Sequence, residues 1–297
     1  MRSLALRAGL NAAELVARAL PASAAYRLAD LLGRAWHRRA SGRRALVAEG
    51  LRRICAATGR PTDGPAFVRL VEASFVAYAR YYLEVLRAPH YDPARVHDHV
   101  SVDDSEERFA PIFRAGAVVA LPHLGNFDPF GHFVEAERVT GVAPVEETEP
   151  PELYDFLRSR RAAGHGMRVV PLTRARRPMI EALRNGEIAA LVADRDLDGD
   201  GIEVDLFGHP TTLPAGPATL AVLTERPLIV ARSLRVGPDR FRARAWLLDT
   251  APRDGEDRRA RVARITRDMG AHFERAIAEA PEQWWAIFQP YWTDQRT

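Results

Sequence analysis

The chain of 297 residues contains no lysine, so its 42 basic residues are all arginine, set against 39 acidic ones for a net charge of +3. So mild an imbalance permits contact with an anionic membrane or a phosphorylated substrate without demanding either. The arginines are spread along the chain, and no zinc finger, basic zipper or aromatic RNA-binding motif accompanies them, which argues against a nucleic-acid partner. Cysteine is nearly absent as well. Cys55 stands alone in ALVAEGLRRICAA, so an intrachain disulfide framework is excluded and a reducing compartment is the default. Long apolar runs are also missing. The opening MRSLALRAGLNAAELVARALP is interrupted by Arg7, Asn11, Glu14 and Arg18, too early for an export signal or a membrane span.

What is present is periodicity. Leu4, Ala8, Leu15 and Ala19 share one face of an N-terminal amphipathic helix, which suits either a packing helix or one lying on a membrane surface. From Arg43 to Leu86 the apolar spacing stays helical until Pro89, so residues 1–100 read as a helical part. After Phe113 the character changes. AGAVVALP is a short, continuous apolar run of the buried-strand type, and GVAPV, MRVVPL, EIAALVA, VDLFG and PLIVARSL continue the series. Between them lie helical stretches from Glu152 to Ala163, Pro178 to Asn185 and Pro217 to Leu223, and a long helix begins at RRARV. This alternation predicts an α/β fold with a central mixed sheet flanked by helices, residues 101–297 forming the α/β part of a single 1–297 domain.

Two stretches carry charge suited to chemistry. DRDLDGDGIEVD, from Asp194 to Asp205, opens like a calcium-binding loop, but Gly201 stands where an EF-hand has an aliphatic residue. Strands rather than helices flank it, so substrate-facing carboxylates or a solvated turn fit better than a metal. The stronger signal is PHLGNFD. His123 ends a strand, and Asp128 follows across a turn that Gly125 permits. A carboxylate folded back onto one imidazole nitrogen fixes the tautomer and makes His123 a general base for a hydroxyl. The helix starting near Phe127 can aim backbone N–H groups at a developing oxyanion. No GxSxG elbow offers a serine nucleophile. His132, His165 and His209 have ordinary structural readings, and Trp284, Trp285, Tyr291 and Trp292 suit a core or an apolar acyl groove.

Taken together, ALPHLGNFDPFG, ARYYLEVLRAP, ADRDLDGDGIEVDLFGHPTTLPAGPATLA and PEQWWAIFQPYW resemble, in order, the blocks of the bacterial lysophospholipid and lipid A acyltransferase family with its HxxxxD signature. VEETEPPELYDFLRSRRAAGHGMRVVPL is most similar to its actinobacterial phosphatidylinositol mannoside branch. The resemblance implies a peripheral protein on the cytoplasmic face of the plasma membrane, in contact with anionic lipid. It would move a fatty acyl group from acyl-CoA to a mannose hydroxyl of a phosphatidylinositol mannoside, with no metal, no other cofactor and no covalent intermediate. It implies that His123 is the base and Asp128 its partner, that Glu146 and Arg161 lie near the acceptor's sugar and phosphate, and that Asp194, Arg195, Asp196 and Glu203 form an acidic block beside the site. Glu147 and Glu149 depart from the branch, where a basic neighbour to Glu146 is expected. Acylation of lipid A, a lysophospholipid or another glycolipid would keep His123 and Asp128. A non-catalytic lipid-binding protein would leave that pair without a purpose.

Overall fold

The computed structural model describes residues 2–103, 106–161 and 166–296; the expected helix end at Ala163, and His165, lie outside them. The chain opens with α1 (Arg2–Ala19), α2 (Ala22–Arg39), α3 (Ser41–Ala57) and α4 (Gly64–Arg87). It continues through α5 (Val96–His99), β1 (Val100–Val102), α6 (Glu106–Ala115), β2 (Val118–Leu121), α7 (Asp128–Ala136), β3 (Gly141–Val145), α8 (Pro151–Arg161) and β4 (Met167–Pro171). The second half holds α9 (Arg176–Arg184), β5 (Ile188–Val192), β6 (Ile202–Leu206), β7 (His209–Leu213), α10 (Gly216–Thr224), β8 (Leu228–Gly237), β9 (Arg240–Leu247) and α11 (Arg258–Glu279).

Seven strands form one sheet in the order β1-β9-β8-β2-β5-β3-β4. Neighbours run parallel except β8 and β9. The buried middle follows from composition. VVAL of β2 is covered on both faces, as a continuous apolar run in a parallel sheet must be. The sequence reading lacks β1, β7 and, at the antiparallel edge of the β8 pairing, β9. The β9 arginines at 240, 242 and 244 are exposed while Phe241 and Ala243 are buried, so it is a period-two strand with one solvated face. VDLFG is a strand, yet it pairs with HPTTL rather than with the sheet. β6 and β7 form a separate hairpin whose turn puts Phe207 and Gly208 at positive φ.

The helical part packs directly on the sheet. Leu51 and Ile54 of α3 and Phe75 of α4 share one core with Val118, Leu191 and Val230. A buried polar cluster crosses the same boundary. Glu84 of α4 accepts hydrogen bonds from Tyr26 of α2 (2.8 Å), from the Arg235 guanidinium of β8 and from the Asn126 amide (3.1 Å). Removing one member of such a set strands a buried charge, so the cluster fixes how α2, α4 and the 122–127 loop sit together.

α1 attaches through the face that carries Glu14 and Ala17. Glu14 is buried against His90 (2.7 Å) and the Arg160 guanidinium, while Ala8, Leu15 and Ala19 face outward, Leu15 at 67% exposure. On α2, Leu31 and Leu32 are 62% and 59% exposed. Among the described residues no helix is long and apolar enough to cross a membrane.

Candidate active site

The site is set by strand register. β2 and β5 are parallel neighbours with Leu121 opposite Val192, and the Ala193 N–H donates to the Leu121 carbonyl at 2.8 Å. His123 and Asp194 each stand two positions beyond that matched pair, at the carboxyl ends of adjacent strands, where open α/β sheets place their ligands. Their side chains meet. Nδ1 of His123 lies 2.5 Å from one carboxylate oxygen of Asp194, and the other oxygen accepts the His123 backbone N–H at 2.8 Å and the Trp284 indole N–H at 2.7 Å.

Asp194 is fully buried. Burial pushes its carboxyl upward, but the charge of His123 and the hydrogen bonds from His123 and Trp284 outweigh this and hold the pKa below the ordinary value. An ionised carboxylate at this point keeps the Nδ1 proton in place. Nε2 is then the nitrogen left for the cleft that His123 lines.

The expectation that Asp128 makes this bond is therefore corrected. Asp128 begins α7, its own N–H donates to the Asn126 side chain at 2.9 Å, and its carboxylate lies 3.2 Å from the Arg161 guanidinium. Arg161 in turn donates to the Tyr81 hydroxyl at 2.8 Å. Burial raises the Asp128 pKa, with Arg161 and His132 opposing, and Asp128 and Arg161 form a largely shielded ion pair beside His123's cleft. The helix start took Asp128 toward α8, while the strand register, with no trace in local spacing, delivered Asp194.

The loop between β2 and α7 is clamped by its neighbours. The Gly125 N–H donates to the Gln283 carbonyl and the Asn126 N–H to the Ser233 carbonyl, both at 3.0 Å. The Trp285 N–H donates to the His123 carbonyl at 3.0 Å. Gly125 has φ +63°, and a Cβ there would lie 2.0 Å from the Ser233 oxygen, so only glycine fits. Asn126, fully buried, joins Glu84 to the first turn of α7.

Three spaces adjoin one another here, and the loop borders two of them. His123 lines a cleft of about 290 Å³ with Tyr81, Arg161 and Trp285. Past Phe127 and Val145 an apolar pocket of about 110 Å³ runs under the sheet toward Ile188 and Ala190. On the other side, past Tyr78 and Trp285, an aromatic cleft of about 520 Å³ opens beside the exposed Leu32 of α2.

The remaining expected residues divide. Glu146 and Arg195 line the His123 cleft and pair at 3.4 Å, and Arg195 also donates to the Gln289 side chain at 2.8 Å. Asp196 accepts the Gly199 and Gly201 N–H groups and closes its own loop. Glu203 is exposed on β6 opposite Thr212, outside the cleft walls. The carboxylates of the acidic loop thus point to different places, and among the described residues no three potential ligands converge on a metal position. Trp284, Tyr291 and Trp292 are core residues, whereas Trp285 faces the cleft with its ring 4.3 Å from the His123 ring. An imidazole backed by a buried carboxylate, in a cleft that adjoins an apolar pocket, is equipped to take a proton from a hydroxyl group.

The whole arrangement falls within a known sequence pattern, that of "Bacterial lipid A biosynthesis acyltransferase", which matches residues 5–293. The chain belongs to this acyltransferase family. It is 35% identical over 237 residues to the phosphatidylinositol mannoside acyltransferase of Mycobacterium tuberculosis, covering 75% of this chain and 70% of the relative. It is 33% identical over 261 residues to the enzyme of that name from Mycolicibacterium smegmatis, covering 82% and 79%. A solved structure, the 1-acyl-sn-glycerophosphate acyltransferase PlsC of Thermotoga maritima, aligns over 87% of this chain and 99% of its own at 14% identity and a TM-score of 0.38. As a member of the lipid A acyltransferase family, the protein is an acyltransferase of lipid biosynthesis.

Proposed function

We propose that the protein transfers a fatty acyl group from acyl-CoA to a mannose hydroxyl of a phosphatidylinositol mannoside, at the cytoplasmic face of the plasma membrane. The observation that carries the proposal is the His123–Asp194 pair, with His123 lining an open polar cleft that adjoins an apolar pocket across Phe127 and Val145. The likeness to the mycobacterial enzymes supports the choice of acceptor.

In this mechanism the acyl chain lies in the apolar pocket and its thioester carbonyl beside His123. A sugar hydroxyl is far less acidic than imidazolium, so its proton passes to Nε2 as the oxygen attacks the carbonyl carbon. Asp194 stabilises the imidazolium that forms. The tetrahedral adduct collapses, the C–S bond breaks, and the imidazolium returns its proton to the departing thiolate. General-base catalysis supplies about two to four powers of ten, so the positioning of both substrates must supply much of the rest. Arg161 and Arg195 serve as the cationic contacts for phosphate or sugar oxygens, with Glu146 beside Arg195. The outward apolar residues of α1 and α2 support attachment to the membrane, and α2 borders the aromatic cleft through which a lipid-borne acceptor would enter.

The test is acylation of a mannosylated phosphatidylinositol by purified protein with palmitoyl-CoA, read by mass spectrometry beside lysophosphatidate and a lipid A precursor. Preferential acylation of the mannosylated lipid is expected. Preference for either competitor would overturn the acceptor assignment.

A further inference from the structure

Buried polar atoms in folded proteins nearly always have a hydrogen-bond partner, and one that lacks it needs an explanation. In this structure the Thr148 hydroxyl and the Tyr154 hydroxyl are buried without a hydrogen-bond partner among the described residues, and the Trp285 indole N–H is in the same condition. All three residues line the His123 cleft. Thr148 lies in the loop after β3, Tyr154 on α8 and Trp285 in the C-terminal segment, so separate parts of the chain bring unspent hydrogen-bonding capacity to one space.

The charge around Thr148 limits what that capacity can recognise. Of its loop, Glu146 and Thr148 face the cleft, and the Glu146 carboxylate is paired with Arg195, so the wall beside Thr148 offers hydrogen-bonding groups with their charge balanced, which suits an uncharged polyol. Trp285 adds a ring beside the base, and aromatic faces take the apolar face of a sugar while hydroxyl partners ring its edge.

We infer that Thr148 and Tyr154 are specificity residues that hydrogen-bond hydroxyl groups of the acceptor's sugar and hold the ring beside His123. This inference rests on the glycolipid acceptor proposed above.

Thr148→Val and Tyr154→Phe each remove one oxygen with little change of shape. KM for a mannosylated phosphatidylinositol and acceptor-free hydrolysis of palmitoyl-CoA are measured on the same preparations, with thermal unfolding alongside. Loss of a neutral hydrogen bond to a ligand predicts an acceptor KM raised about three- to tenfold in each variant. Hydrolysis should stay within about twofold of wild type and Tm should not fall, because no protein partner loses its bond. Acceptor KM values within about twofold of wild type in both variants would overturn the inference. So would an equal rise in the KM for palmitoyl-CoA, which would assign the two hydroxyls to the donor. Wild-type protein that hydrolyses palmitoyl-CoA yet acylates no mannosylated lipid would instead defeat the glycolipid reading itself, and this inference with it.

Discussion

Replacing Asp194 by asparagine probes the base more sharply than any truncation. One oxygen of Asp194 accepts two fixed N–H groups, from the His123 backbone and from Trp284, and the other faces Nδ1 of the imidazole. An asparagine must put its oxygen where the two donors are, because an amide NH₂ there would meet N–H groups head on. Its NH₂ then points at Nδ1, which has to become an acceptor. The imidazole proton moves to Nε2, and the nitrogen left for the cleft can no longer take a proton. The variant loses what general-base catalysis supplies, about two to four powers of ten in kcat, or about 3–5 kcal/mol of transition-state stabilisation. Steady-state thiol release with acceptor present measures it, with circular dichroism to confirm that the variant is folded. A folded Asp194→Asn protein with kcat within about fivefold of wild type would refute the reasoning, because the tautomer would then not matter.

The remaining predictions concern the support of the site. Asp128 and Arg161 act as an ion pair, so Asp128→Asn and Arg161→Gln should each lower activity, and the double variant should be no worse than the weaker single; additive losses would show independent roles. Gly125→Ala forces a side chain into the Ser233 carbonyl at positive φ and should cost more than about 2 kcal/mol in urea unfolding, and a neutral result would contradict the loop geometry. Because the folded pKa of Asp194 is depressed, its contribution to stability is fully present above its unfolded value of about 3.9 and is lost as pH falls through the lower folded value. The stability difference between wild type and Asp194→Asn should therefore shrink as pH falls below about pH 4. A difference that grows below about pH 4 would reverse the assigned shift.

Much of the fold was legible because burial on both faces writes an uninterrupted apolar run. AGAVVALP, GVAPV, EIAALVA and PLIVARSL are all strands of the sheet. In β9 the alternating arginines disguise a half-buried strand, and VDLFG reads like the sheet strands because local pattern cannot say which partner a strand takes. His123 could be read from its place at a strand end. Its carboxylate partner could not, since the nearby Asp128 is the local candidate while Asp194 arrives through the pairing of β2 with β5. One sign of it did lie in the sequence: VVALPH and AALVAD each carry a titratable residue just past a buried strand, as parallel neighbours sharing a site would. Glu84 and Asn126 left no such sign, because a buried glutamate in an amphipathic helix looks like a surface residue until its partners are seen.

The most direct test of the central claim is thiol release from palmitoyl-CoA by wild type and by His123→Ala, with and without a mannosylated phosphatidylinositol. The account predicts acceptor-stimulated release in wild type and a fall of about two to four powers of ten in the variant, with its fold intact. Release unaffected by His123→Ala would contradict it.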